Sequence, residues 1–211
     1  MKIGIMGGTF NPIHNGHLLI AENAYHQYGL DQIVFLPAGI PPHKQHMGIL
    51  GKDHRCAMID LAIENIPYFR LDRREVDAAQ ISYTYLTLTQ LKEENPEDEF
   101  FFIMGADSLA YFDKWKNPKI ILNKATVLAA VRDEFDTGAL KQEIKRITDK
   151  LGGNIGFITT PEFDVSSQNI RNRVACGQSI RFLVPDKVRD YILYHNLYGT
   201  PTESSDKRLE R

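Results

Sequence analysis

Short apolar runs alternate along this chain with longer stretches of helical periodicity, and that alternation limits the possible folds more than any other feature. Residues 2–6, 32–36, 68–71, 99–104, 125–131 and 156–159 read as strands, the fourth carrying three consecutive phenylalanines. Between them, helices are predicted over 16–28, 53–64, 84–94, 117–122 and 138–151. Gly7 and Gly8 are expected to end the first strand, Gly29 suits the position just past the first helix, and Asp53 reads as the N-cap of the second. Asn117-Pro118 has the look of a cap followed by a first helical residue. Strand–helix alternation of this kind implies βαβ units, so an α/β fold is expected: a mainly parallel sheet flanked by helices on both faces. Ligands bind such sheets beyond the carboxyl ends of the strands, which directs attention to residues 7–17, 37–44, 105–115 and 161–171.

A length of 211 residues suits one substantial domain, taken here as 1–199 with a C-terminal helical portion over 166–198. The polar tail 200–211 is expected to be partly disordered, and no internal repeat is visible. With 43% hydrophobic and 25% charged residues the chain has the balance of a globular protein, and a net charge of −2 argues against nucleic-acid or anionic-membrane partners. No apolar run reaches the roughly 20 residues of a membrane span, and no signal peptide is recognisable, so a cytoplasmic location is expected. Cys56 and Cys176, far apart in sequence, read as buried thiols in a reducing compartment. Oligomeric state is not legible, and a homo-oligomer stays open.

The first strand-to-helix junction, Gly7-Gly8-Thr9-Phe10-Asn11-Pro12-Ile13-His14-Asn15-Gly16-His17, carries the clearest chemistry. Glycines there let backbone amides approach an anion, the helix start adds partial positive charge, and His14 and His17 share one side of that helix start. A tight turn with helix-capping histidines is the plainer account of the same residues. Neither Gly-x-Gly-x-x-Gly nor a Walker A motif is present.

This segment resembles the signature of the nucleotidylyltransferase superfamily, whose core is His-x-Gly-His. A second superfamily signature is matched by Ser166-Ser167-Gln168-Asn169-Ile170-Arg171, where the serines suit helix caps and Arg171 offers a planar fork for phosphate. From residue 1 to about 198 the chain is similar to the bacterial nicotinate-nucleotide adenylyltransferase family. The points of match are Pro41-Pro42-His43-Lys44, Ile81-Ser82-Tyr83-Thr84, residues 102–108, Trp115 and Phe182-Leu183-Val184-Pro185.

The resemblance implies a Rossmann-like nucleotidylyltransferase fold and AMP transfer from ATP to nicotinate mononucleotide, assisted by Mg²⁺, with small-molecule partners only. By matching positions it places ATP on Gly7, Gly8, Thr9, Phe10, His14, His17, Gly105, Asp107, Ser166, Ser167, Ile170 and Arg171, of which His14, His17 and Arg171 are catalytic. The acceptor is implied to lie on Lys44, Tyr83, Thr84, Trp115 and Arg132, with the indole against the pyridine ring and the amides near Thr84 receiving the carboxylate. No protein-held metal site is implied. Asn11 stands where the family usually has Asp, so a structural role is expected there, and Gln168 replaces a common Thr. Competing readings are transfer to the amidated nucleotide, a metal-binding domain built on His14/His17 and His43/His46, and a nucleotide sensor without activity.

Overall fold

The computed structural model describes residues 1–39, 48–78, 82–131 and 137–199, with the side chains of Thr137 and Ala139 excepted. Six parallel strands form one sheet: β1 (Lys2–Gly8), β2 (Gln32–Pro37), β3 (Phe69–Leu71), β4 (Glu99–Gly105), β5 (Ala125–Val131) and β6 (Ile155–Thr159), in the order β3-β2-β1-β4-β5-β6. Successive strand residues point to opposite faces, so the sheet feeds two cores. Met6, Ile33, Phe35, Phe69, Ile103, Leu128 and Ile158 join one; Ile5, Val34, Phe100, Phe102, Val127 and Ala129 join the other.

The first core is covered by α1 (Asn15–Tyr28), α2 (Lys52–Ile63), α8 (Ser167–Ala175) and α9 (Asp186–Tyr194). Over the second lie α4 (Thr84–Glu94), α6 (Pro118–Lys124) and α7 (Thr137–Leu151). The expected α/β class with a parallel sheet and helices on both faces is therefore what forms. Among the described residues no helix is long and apolar enough to cross a membrane.

Several local expectations are corrected. Gly7 and Gly8 do not stop β1; they continue it, paired in register with Leu36 and Pro37 of β2. Gly51, not Asp53, is the N-cap of α2, and the Asp53 carboxylate instead receives an Arg73 guanidinium at 3.1 Å. Of the two serines only Ser166 caps α8, accepting the Asn169 N–H at 3.1 Å, while Ser167 is the first helical residue. Cys56 is buried as expected, but Cys176 is exposed at the end of α8. Two short helices, α3 (Arg74–Asp77) and α5 (Ala106–Leu109), and a 3-10 turn (Phe112–Lys114) have too few residues to show a period in the sequence. The tail 200–211, Lys44, Arg132 and the His43/His46 pair lie outside the described residues.

Ile170 is a further correction. Its side chain is 0% exposed within the first core, and its N–H donates to Ser166 O at 3.1 Å, so the side chain packs α8 against the sheet rather than facing the crevice. Replacing Ile170 by Ala should cost about 2–5 kcal/mol, read as a lowered denaturant midpoint at unchanged m-value. A cost below about 1 kcal/mol would remove α8 from the core.

Candidate active site

Strand β1 lies between β2 and β4, where the connections diverge to opposite edges of the sheet, and a crevice opens beyond its carboxyl end. A cavity of about 550 Å³ sits there. The end of β1 and the following turn supply Gly7, Gly8 and Thr9 to one side; Ser82, Tyr83 and Thr84, at the start of α4, line another; Trp115 and its flanking Lys114 and Lys116 complete the wall. Six residues singled out in the sequence, Gly7, Gly8, Thr9, Tyr83, Thr84 and Trp115, thus come together around one space.

Each wall has a local cause. A Cβ on Gly8 would stand 3.0 Å from the Phe10 ring, so a larger residue there would require that ring to give by a few tenths of an ångström. Tyr83 is the extended N-cap of α4; its carbonyl accepts the Leu86 and Thr87 N–H groups, and its side chain makes no capping bond to the N–H groups ahead of them. Trp115 packs its edge against Phe102 and tilts on Phe112, with ring centroids 6.1 and 5.6 Å away. The residue two before it, Asp113, ties this segment to α7, accepting from Arg146 at 3.0 Å and Lys150 at 2.9 Å. Those two hydrogen bonds hold the Asp113 carboxyl down at about 2. Lys116 lies over the Tyr83 ring, its ammonium 5.3 Å from the centroid.

On the other side of the turn, His14 caps α1 and its ring stacks on that of His17, centroids 3.6 Å apart at 25°. The His14 N–H donates to His17 Nδ1 at 3.2 Å, which leaves Nε2 to carry the proton of a neutral His17 ring. Phe10 meets the same ring edge-on at 5.0 Å. Burial lowers the His17 pKa well below its ordinary 6.5, with His14 adding to the effect. Two imidazoles stacked face to face do not converge on one metal. Among the described residues no group of three or more His, Cys, Asp or Glu side chains forms a metal cage.

The second sequence motif is packed against the first. Ser167 Oγ donates to Pro12 O at 2.8 Å, Arg171 donates to Asn11 O at 2.8 Å and also to Gln168 Oε1, and a Cβ on Gly16 would stand 2.7 Å from Val165. The Ser167 hydroxyl and part of the Arg171 fork, expected as phosphate ligands, therefore have partners within the chain that fix one motif on the other. Asn11 is structural, as expected: its Oδ1 accepts from Tyr198 at 2.9 Å and from the Leu50 N–H at 3.3 Å. Gly105 caps α5, and Asp107 sits exposed in its first turn at the end of β4.

Sequence reasoning gave no site role to Glu75 or Lys116, and it named Ser82 only within a matched motif and Lys114 only within the flagged stretch 105–115. Ser82 accepts the Gly39 N–H at 3.0 Å, and Glu75 accepts the Thr87 hydroxyl at 2.6 Å. A Cβ on Gly39 would fall 2.1 Å from Glu75 O, so the end of β2 passes directly over α3. The two lysines could have been found as charges flanking the single tryptophan; Glu75 gives no sequence signal.

Comparison with known proteins decides the family. Residues 5–173 match the cytidylyltransferase-like family model. Nicotinate-nucleotide adenylyltransferase of Bacillus subtilis is 40% identical over 93% of this chain and 98% of its own. A protein of Lachnoclostridium phytofermentans, named as a probable nicotinate-nucleotide adenylyltransferase, is 44% identical over the same shares. This chain belongs to the nicotinate-nucleotide adenylyltransferase family. The fold also matches a solved Plasmodium falciparum nicotinic acid mononucleotide adenylyltransferase complexed with NaAD, at TM-score 0.76 and 19% identity, over 93% of this chain and 97% of that one.

The depressed His17 pKa has a signed consequence. As pH falls, the unfolded chain binds this proton first, below about 6.5, so the group's contribution to stability is full above that pH and declines beneath it. Denaturant titrations between about pH 7.5 and 5 should show wild type losing more stability than His17→Asn. Equal losses would contradict a buried, neutral His17.

Proposed function

We propose that this protein transfers the AMP moiety of ATP to nicotinate mononucleotide, giving deamido-NAD and pyrophosphate. The observation that carries the reading is a single cavity whose walls are the Gly7–Thr9 turn on one side and Trp115 with the α4 start on the other, in a chain of this family. A phosphate-binding turn facing a flat aromatic ring and a helix N-terminus suits an acceptor with a phosphate at one end and an aromatic carboxylate at the other.

In this mechanism an oxygen of the acceptor's 5′-phosphate attacks the α-phosphorus of ATP in line. The new P–O bond forms as the bond to the bridging oxygen of pyrophosphate breaks, and the electron pair leaves with pyrophosphate. The nucleophile is already an anion at neutral pH, so no general base is needed, and catalysis rests on alignment and charge stabilisation. His17, neutral with its proton on Nε2, is suited to donate to an α-phosphate oxygen as charge grows there. His14 and the free part of the Arg171 fork would serve the phosphate chain, with Ser166 and the α8 start. Gly105 and Asp107, at the end of β4, would meet the ATP-side ribose.

Mg²⁺ would enter with ATP and would need no protein cage, and Asp107, exposed in the first turn of α5, would be suited to hold one of its water ligands. The ion would neutralise charge on the leaving pyrophosphate.

Pyrophosphate release measured with ATP, Mg²⁺ and a panel of phosphorylated acceptors should be fastest with nicotinate mononucleotide and weaker with its amide. Release with neither would overturn the reading. His17→Ala should fold and lose about two or more orders of magnitude in kcat, and Trp115→Ala should raise the acceptor KM by about tenfold with the ATP KM little changed. Near-normal turnover of His17→Ala would sink its assignment.

A further inference from the structure

Arg55, in α2, is 3% exposed, yet among the described residues no carboxylate pairs with it. Its guanidinium is spent on backbone carbonyls. Nη1 donates to Thr9 O at 2.9 Å and to Ala38 O at 2.8 Å, and Nε donates to Leu50 O at 3.1 Å. Burying a cation without an anionic partner is expensive, and an apolar side chain of similar size would fill the space at lower cost. A charge held there at that cost points to a role beyond packing.

The two carbonyls on Nη1 belong to the two halves of the cavity. Thr9 lines it from the end of β1 and Ala38 from the end of β2. Ala38 also donates its N–H to Gly8 O at 2.8 Å, so the two chain ends are cross-linked at adjacent points. Beyond these peptides lie the N–H of Phe10, within the glycine turn, and the N–H of Gly39, which donates to Ser82 Oγ beside the α4 start. A cation on a peptide oxygen polarises the whole peptide and strengthens the donor at its other end.

Phe10 adds a second observation. It is a fully buried bulky residue in the left-handed region, φ 48°, a conformation that persists only where its surroundings impose it. The carbonyl before it is held by Arg55 and the carbonyl after it by Arg171. The first is the only one of the two arginines that also reaches the acceptor half of the cavity.

We propose that Arg55 is a positioning residue for the transfer step: by bridging the Thr9 and Ala38 carbonyls with one buried cationic nitrogen, it sets the phosphate-facing turn against the acceptor wall. The inference rests on the adenylyl-transfer reading. It touches no substrate, so its loss should act on kcat and leave ground-state binding of the pyridine nucleotide nearly unchanged. Trp115 is the only tryptophan in the chain, and its fluorescence reports acceptor binding separately from turnover.

The test compares wild type, Arg55→Lys and Arg55→Gln, each checked for a cooperative thermal melt. Lysine keeps the charge but not the planar fork or the bond to Leu50, and glutamine removes the charge. Expected are a loss in kcat of about threefold or more for Arg55→Lys and about tenfold or more for Arg55→Gln, with the Trp115 titration by nicotinate mononucleotide within about twofold of wild type. A folded variant with kcat within about twofold of wild type overturns the proposal, as does a loss confined to the acceptor KM. If Arg55→Gln does not melt cooperatively, Arg55→Lys decides by the same thresholds. Wild type inactive towards every acceptor would instead overturn the functional reading itself.

Discussion

The turn at Thr9-Phe10-Asn11 is the constraint on which the site depends. A buried phenylalanine with positive φ is costly, on the order of 1–3 kcal/mol, and here that cost is met by partners recruited from distant parts of the chain. Arg55 takes the Thr9 carbonyl, Arg171 takes the Asn11 carbonyl, and the Asn11 side chain is engaged by Tyr198 and the Leu50 amide. In return the Phe10 ring fills the space beneath Gly8 and packs on His17. One strained residue thus couples the glycines that face the cavity to the buried imidazole of His17.

How much of this was legible in the sequence follows from how local each interaction is. The glycine turn and its two histidines lie within eleven consecutive residues, and their types alone imply an anion site. The α4 start and Trp115 were readable through family resemblance, and the structure brings them to the same cavity as Gly7–Thr9. Arg55 was not readable: its partners are backbone carbonyls, which every residue type supplies, so nothing in residues 9, 38 or 50 marks them as acceptors for an arginine. Glu75 was missed for a related reason, since its place in the wall depends on the close pass of Gly39 over α3.

The errors are equally physical. Ile170 was carried along with its motif although an isoleucine between two polar turns of a helix is as well suited to a core, and the core is where it goes. The expected stop at Gly7-Gly8 failed because glycine in a strand also permits close approach from above, and here the sheet pairing continues beneath it. One of the serines expected on a ligand, Ser167, is committed to holding the two motifs together, so the second signature acts as a buttress to the first.

The hydroxyl of Tyr198 on Asn11 has a consequence for the order in which the molecule is made. Residue 11 leaves the ribosome early, but its side chain finds this partner only after residue 198 has been synthesised, and Arg171 comes nearly as late. Strands β1 to β4 can pair well before that point. A nascent chain would therefore hold the residues of these strands long before it holds every partner of the Thr9-Phe10-Asn11 turn.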